Sequence, residues 1–170
     1  MKTSTPNNRP RTSSGPRKNA AQPALGEVGR LDPLSPEERS ERMRRIKSSG
    51  TKPELIVRKL VRELGFRYRL GGLGLPGKPD LVFKSRKKVI FVHGCFWHQH
   101  GCGHYKQPRT RLDFWLPKLR ANVERDKRVR DLLRSLGWEV LVVWECETRG
   151  DLEKLKKRIR DFIETSDDDR

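Results

Sequence analysis

Three cysteines are the whole thiol content of this 170-residue chain, and two of them sit in a single run, Val92-His93-Gly94-Cys95-Phe96-Trp97-His98-Gln99-His100-Gly101-Cys102. The third comes much later, in Trp144-Glu145-Cys146. Zinc takes about four soft or borderline donors in a tetrahedron, and two cysteines, a histidine and the distant third cysteine can supply them. The chain is therefore expected to close a metal site, and a fold that does so must bring residue 146 back to residues 95–102. Spacing alone leaves the histidine open: Cys95-x-x-His98 is acceptable, His100 also fits, and His104 lies close by. An odd number of cysteines in a reducing compartment argues against a disulfide framework. The same stretch carries two bulky aromatics and spare imidazoles that a purely structural zinc site does not need. Function is to be sought in that surplus.

The formal net charge is +17, with lysine and arginine spread along the chain. Such an excess repels itself and implies a polyanionic partner, nucleic acid first. A membrane surface is the rival anion. No run of about 18 apolar residues is present, and the basic N-terminus lacks the apolar segment of a signal peptide, so a cytoplasmic protein is expected.

The length suits one domain. Residues 1–34 are rich in Pro, Ser, Thr, Asn and Gly and predict a disordered, basic tail. A domain over 35–165 follows, then a short acidic, disordered end at 166–170. Ser35-Pro36-Glu37-Glu38 combines an N-cap, a proline in the first turn and a capping-box glutamate, predicting a helix from there to about residue 47. Thr51-Lys52-Pro53-Glu54 repeats the signal ahead of a stripe of Ile56, Val57, Leu60, Val61 and Leu64 that ends at Gly65. Phe66, Tyr68 and Leu70 alternate with arginines and predict a first strand. Leu81-Val82-Phe83 and Val89-Ile90-Phe91-Val92 read as a hairpin buried on both faces. A turn of helix is expected over 113–116, then a longer helix from Pro117 to Leu136 whose Leu119, Val123, Val129, Leu133 and Leu136 share a face. Residues 140–144 form another buried strand, and a last amphipathic helix carries Leu152, Leu155, Ile159 and Phe162. The predicted class is α/β, a mixed central sheet flanked by helices.

Asp80 stands at the mouth of an apolar strand. It reads equally as a turn-forming aspartate after proline and as a hard oxygen ligand for Mg²⁺ beside a scissile phosphate. In many nucleases a second acid and a lysine follow on the next strand, but Phe91-Val92-His93 offers neither.

Five motifs in order, Arg39-Ser40-Glu41-Arg42-Met43, Pro76-Gly77-Lys78-Pro79-Asp80, Val89 through His98, Asn122-Val123-Glu124-Arg125-Asp126 and Gly137-Trp138 through Cys146, make the chain similar to the very short patch repair endonucleases. Those enzymes nick DNA at T:G mismatches left by deamination of 5-methylcytosine. The resemblance spans about 35–162. It implies a restriction-endonuclease-like core and a Mg²⁺-dependent, strand-specific nick 5′ to the mismatched thymine. It assigns structural zinc to Cys95, His100, Cys102 and Cys146 and so frees His98 as acid or base. It makes Asp80 the Mg²⁺ ligand, helped by the carbonyl of Val92, where the family commonly has threonine. His93, Glu54 and Asp126 resemble the supporting group that orients water and metal, with His93 as the expected partner of Asp126. Glu54 is also explained by helix capping alone. Phe96, Trp97 and Trp115 resemble an aromatic wedge entering from the major groove, and Met43 a probe from the minor groove. The implied partner is double-stranded DNA carrying a T:G mismatch, with mismatch-repair proteins as further candidates, acted on by a monomer in a bacterial cytoplasm. The competing readings are a zinc-stabilised DNA-binding module without catalysis and a related restriction-type nuclease that cuts both strands.

Overall fold

Strands that are apolar on both faces are stable only where helices cover both sides of the sheet. Three such strands form the centre of the computed structural model, which describes residues 35, 37, 38, 41, 44, 45, 49–103, 105–109 and 111–165, all within the unit Leu31–Arg170. The expected tail, the acidic end and Met43 lie outside the described residues. The elements are α1 (Lys52–Glu63), β1 (Leu81–Phe83), β2 (Lys88–His93), α2 (Leu112–Ser135), β3 (Glu139–Trp144) and α3 (Leu152–Glu164). β1 pairs antiparallel with β2, and β2 pairs parallel with β3 through a crossover that contains α2. The α/β class with a mixed sheet is thus the observed one.

The two-residue period of the strands divides the core in two. Leu81, Phe83, Ile90, Leu141 and Val143 meet α1 and α3 through Val57, Leu60, Val61, Leu155, Ile159 and Ile163. Val82, Val89 and Phe91 point the other way and meet α2 at Leu133, with Val129, Trp138, Val140 and Val142 beside them. Each fully buried aliphatic side chain contributes about 1.5–3 kcal/mol.

Helix starts follow their local signals. Ser35 Oγ accepts the Glu38 N–H at 3.2 Å, and the Ser35 N–H donates to Glu38 Oε2 at 2.8 Å, a reciprocal capping box. At α1 the motif is rearranged. Thr51 is the N-cap without a side-chain cap bond, and Glu54 takes the Gly50 N–H at 2.8 Å and the Thr51 hydroxyl at 3.0 Å.

Four expectations are corrected. Residues 66–70 form no strand: Arg69 makes an isolated bridge to Val82, because Gly71 and Gly72 turn away at φ +80° and +67° and Phe66 and Tyr68 reach the core without a ladder. The turn at 113–116 and the following helix are one continuous helix with Pro117 inside; the proline, in the second turn, cannot donate to the carbonyl of residue 113, and the helix runs on past that one lost bond. On α3 the buried stripe is Leu155, Ile159 and Ile163, while Leu152 is exposed and Phe162 only flanks the core. Leu136 is likewise exposed.

One buried charge has no counterpart among the sequence patterns. Lys88 is 3% exposed; its ammonium donates to the Phe162 carbonyl at 2.6 Å and to the Thr165 carbonyl, and pairs with Glu139 at 3.0 Å. It ties the C-terminal end of α3, where a cation is favoured, to the sheet. At the opposite end, the parallel register sets His93 beside Trp144, and Asp80 enters the antiparallel β1 alongside them. The functional groups collect at that end. Among the described residues no helix is long and apolar enough to cross a membrane.

Candidate functional site

Beyond the ends of β2 and β3 the chain turns back on itself. Gln99 has φ +50°, so the flanking His98 and His100 diverge although only one residue separates them. The His100 N–H donates to the Cys95 carbonyl at 3.0 Å, and His100 Nδ1 lies 3.6 Å from Cys95 Sγ and 3.5 Å from Cys146 Sγ. Donor atoms of Cys95, His100, Cys102 and Cys146 all fall within 4.8 Å of one another. Sulfur at about 2.3 Å and nitrogen at about 2.05 Å from a tetrahedral zinc stand roughly 3.6 Å apart, so the donor set fits such an ion. Burial pushes the Cys95 thiol up to about 12, which a bound cation would reverse.

His98 turns the other way. Its Nδ1 is hydrogen-bonded to Asp126 Oδ2, and with Asp126 as the acceptor carboxylate this nitrogen carries the proton, leaving Nε2 as the exchangeable position. His93 stacks on His98 with ring centroids 3.8 Å apart, and its Nδ1 is 4.0 Å from Asp126. His93 is thus beside Asp126 as expected, but the hydrogen bond to that carboxylate is made by His98. Burial, reinforced by His98, draws His93 down to about 4, so it is a neutral imidazole near pH 7.

Asp80 accepts the Val92 N–H at 2.7 Å. Burial raises its carboxyl to about 6, with Glu54 adding to the rise and the Val92 bond opposing it. Glu54 is 4% exposed and pairs with Arg58 at 2.8 Å, so it serves the helix start and faces the same space. Asp80, Glu54, Val92, His93, His98 and Asp126 line one cavity of about 270 Å³, together with Lys78, Arg125 and Arg130. Four separate segments of chain are brought together there.

Phe96, Trp97 and Trp115 form a half-buried cluster, with centroids 5.2 Å (Phe96–Trp97), 5.4 Å (Phe96–Trp115) and 6.0 Å (Trp97–Trp115) apart. Asn122 on α2 holds the Trp97 carbonyl at 3.1 Å.

Several residues in this region are not singled out by the sequence. Phe114 is 46% exposed and joins the aromatic cluster at Trp115. Lys118 lies 5.5–5.8 Å from the ring centres of Trp97, Phe114 and Trp115; its spacing of three and four residues from Trp115 and Phe114 on one helix is the available signal. Trp144 has none. It stacks on His100 at 4.1 Å and meets His93 edge-on at 5.5 Å, joining the Cys–His cluster to the cavity.

The family model described as DNA mismatch endonuclease Vsr matches residues 31–104. The type II nicking enzyme V.XorIIP of Xanthomonas oryzae pv. oryzae is 49% identical over 135 residues, covering 79% of this chain and 98% of the relative. The DNA mismatch endonuclease Vsr of Escherichia coli is 44% identical over 129 residues, covering 74% of this chain and 83% of the relative. The solved catalytic domain of the homing endonuclease I-Bth0305I has a TM-score of 0.47 and 24% identity, over 66% of this chain and 94% of that one.

Proposed function

The chain belongs to the Vsr family of DNA mismatch endonucleases and is a DNA nicking endonuclease, and from that premise we propose that it cuts one strand 5′ to the thymine of T:G mismatches. Such mismatches arise by deamination of 5-methylcytosine, and the nick would start short-patch repair in the bacterial cytoplasm. The observation that carries the reading is that Asp80 and the His98–Asp126 pair line one cavity, while the aromatic cluster begins two residues before His98.

Asp80 and the backbone carbonyl of Val92 would hold Mg²⁺. The N–H and C=O of a strand residue face the same neighbour, and the Val92 N–H faces Asp80, so its carbonyl lies on that edge. Valine in place of threonine keeps this group and lacks only a hydroxyl. Bound Mg²⁺ supplies charge neutralisation at the phosphate and lowers the pKa of a water. Water adds to phosphorus as the P–O3′ bond breaks, leaving a 5′-phosphate and a 3′-hydroxyl. His98 moves the proton at Nε2, Asp126 fixes its tautomer, and Glu54 and neutral His93 orient the water by hydrogen bonds. Zn²⁺ on Cys95, His100, Cys102 and Cys146 would be structural, since four protein donors leave no position for substrate.

Phe96, Trp97 and Trp115 would enter the duplex, with Met43, outside the described residues, opposite them. Unstacking a base step costs a few kcal/mol and less at a mismatch, so deformability itself discriminates. The protein acts as a monomer on double-stranded DNA, with mismatch-repair proteins as partners. The test is cleavage of T:G duplexes with randomised flanks in Mg²⁺ by wild type and Asp80→Ala. A single-strand nick 5′ to thymine, lost in the variant, is expected. Binding without nicking would indicate a DNA-binding module, and cutting of both strands of paired DNA a restriction-type nuclease.

A further inference from the structure

Asp80 is preceded by a left-handed residue that is not glycine. Lys78 has φ +52°, a region that side chains beyond glycine enter only against steric resistance. The surrounding loop holds it there. Gly72, at φ +67°, lies where a Cβ would stand 2.7 Å from Lys78 Cα, and Gly77, at φ +71°, lies where a Cβ would stand 2.4 Å from Val129 Cγ1. The loop is thus pressed on Lys78 from one side and seated on α2 from the other, and the buried Pro79 follows at once. A glycine at 78 would make the same turn without resistance, so the geometry alone does not call for a lysine. Resistance of this kind beside a reactive group marks a side chain with work to do.

Lys78 lines the cavity with Asp80. Among the described residues no hydrogen bond or ion pair engages its ammonium. The other two cations of the cavity each contact Asp126: Arg125 lies 3.5 Å from its Oδ1, and Arg130 Nε donates to its backbone carbonyl at 3.4 Å. Beside Asp80, β2 presents only Phe91, Val92 and His93; its lysine, Lys88, is buried at the far end of the strand and donates to the Phe162 carbonyl. We propose that Lys78 is a catalytic residue that binds a non-bridging oxygen of the scissile phosphate beside Asp80. It supplies from the N-terminal side of the aspartate a cation that β2 does not present at this end of the sheet, and it neutralises charge that grows on the phosphate in the transition state. The assignment rests on Asp80 being the centre of cleavage.

The test uses the full chain with zinc bound, a T:G duplex and Mg²⁺, comparing Lys78→Ala, Lys78→Gly and Lys78→Arg with Asp80→Asn. Single-turnover nicking is expected to fall about 100-fold in Lys78→Ala and Lys78→Gly, and to stay within about tenfold of wild type in Lys78→Arg, which keeps the charge. The slope of log binding constant against log salt should shrink by about 0.9, the share of one phosphate contact. Lys78→Gly should melt at or above the wild-type temperature, since it relieves the left-handed residue, and this separates lost chemistry from lost folding. Wild-type nicking by Lys78→Gly, or Lys78→Arg as impaired as Lys78→Gly, would overturn the assignment. If Asp80→Asn also nicks normally, the reading of the cavity falls with it; if Asp80→Asn is inactive, only the role of Lys78 falls.

Discussion

His98 and His100 stand two residues apart in one turn and face different groups. The ring of His100 faces two thiols and lies flat against Trp144, inside a set of four protein donors. The ring of His98 is held at Nδ1 by Asp126, lies against His93, and lines an open cavity. A histidine becomes a ligand or a proton carrier according to what its ring nitrogens meet. Here a single left-handed residue, Gln99, sends the two rings to their different partners.

The sharpest way to test the distinction is Asp80→Asn, which should lower nicking by about 10³-fold or more, the several kcal/mol that a catalytic cation supplies. Zinc content, read by metal analysis, should be unchanged, since Asp80 takes no part in the Cys–His cluster. His98→Ala and His100→Ala then separate the two histidines directly. The first should keep stoichiometric zinc and lose about 10²–10⁴-fold in single-turnover rate, while the second should lose zinc and melt at a lower temperature. Equal zinc loss in both would erase the division. Asp126→Asn should act through His98 and cost about 10–100-fold, with zinc retained; a wild-type rate would mean that the tautomer is set by another group.

The smallest effect is on stability against pH, without added Mg²⁺. Asp80 has its carboxyl raised from 3.8 to about 6, so the folded state holds the extra proton in that window and stability from this group falls as pH rises through it. His93 is lowered from 6.5 to about 4, so the unfolded state holds the extra proton and stability rises with pH there. The two slopes oppose each other. Urea midpoints measured between about pH 4 and 6.5 should climb more steeply in Asp80→Asn than in wild type, and less steeply in His93→Asn. Parallel curves for all three proteins would refute both assignments.

Much of this architecture is legible in the sequence alone. The capping box at Ser35 and Glu38, the stripe of α1 and the two-faced apolar strands are local patterns, and their partners lie within a few residues. The alternating run at Phe66, Tyr68 and Leu70 misleads, because the same alternation serves side chains that reach the core from a chain leaving the sheet. Pro117 misleads as a boundary, since a proline in the first turns of a helix removes little. Asp80 is legible as an acid at a strand mouth. Its Val92 partner follows only from the resemblance, and Trp144, Lys118 and Lys88 have no role until distant segments meet around them.

By itself the sequence determined the donor chemistry and the need for a polyanionic partner, since thiols, imidazoles and a charge of +17 are properties of residue type that survive any fold. It also determined the layered core, because strand and helix periods are written locally. Only the tertiary structure decided that Asp126 hydrogen-bonds His98 while His93 stacks on that ring. That choice depends on the crossover through α2 that sets Asp126 against His98, on the register that puts His93 beside Trp144, and on the left-handed turns at Lys78 and Gln99. Contacts between residues far apart in the chain leave no local trace, and a backbone angle that residue type disfavours cannot be read from residue type.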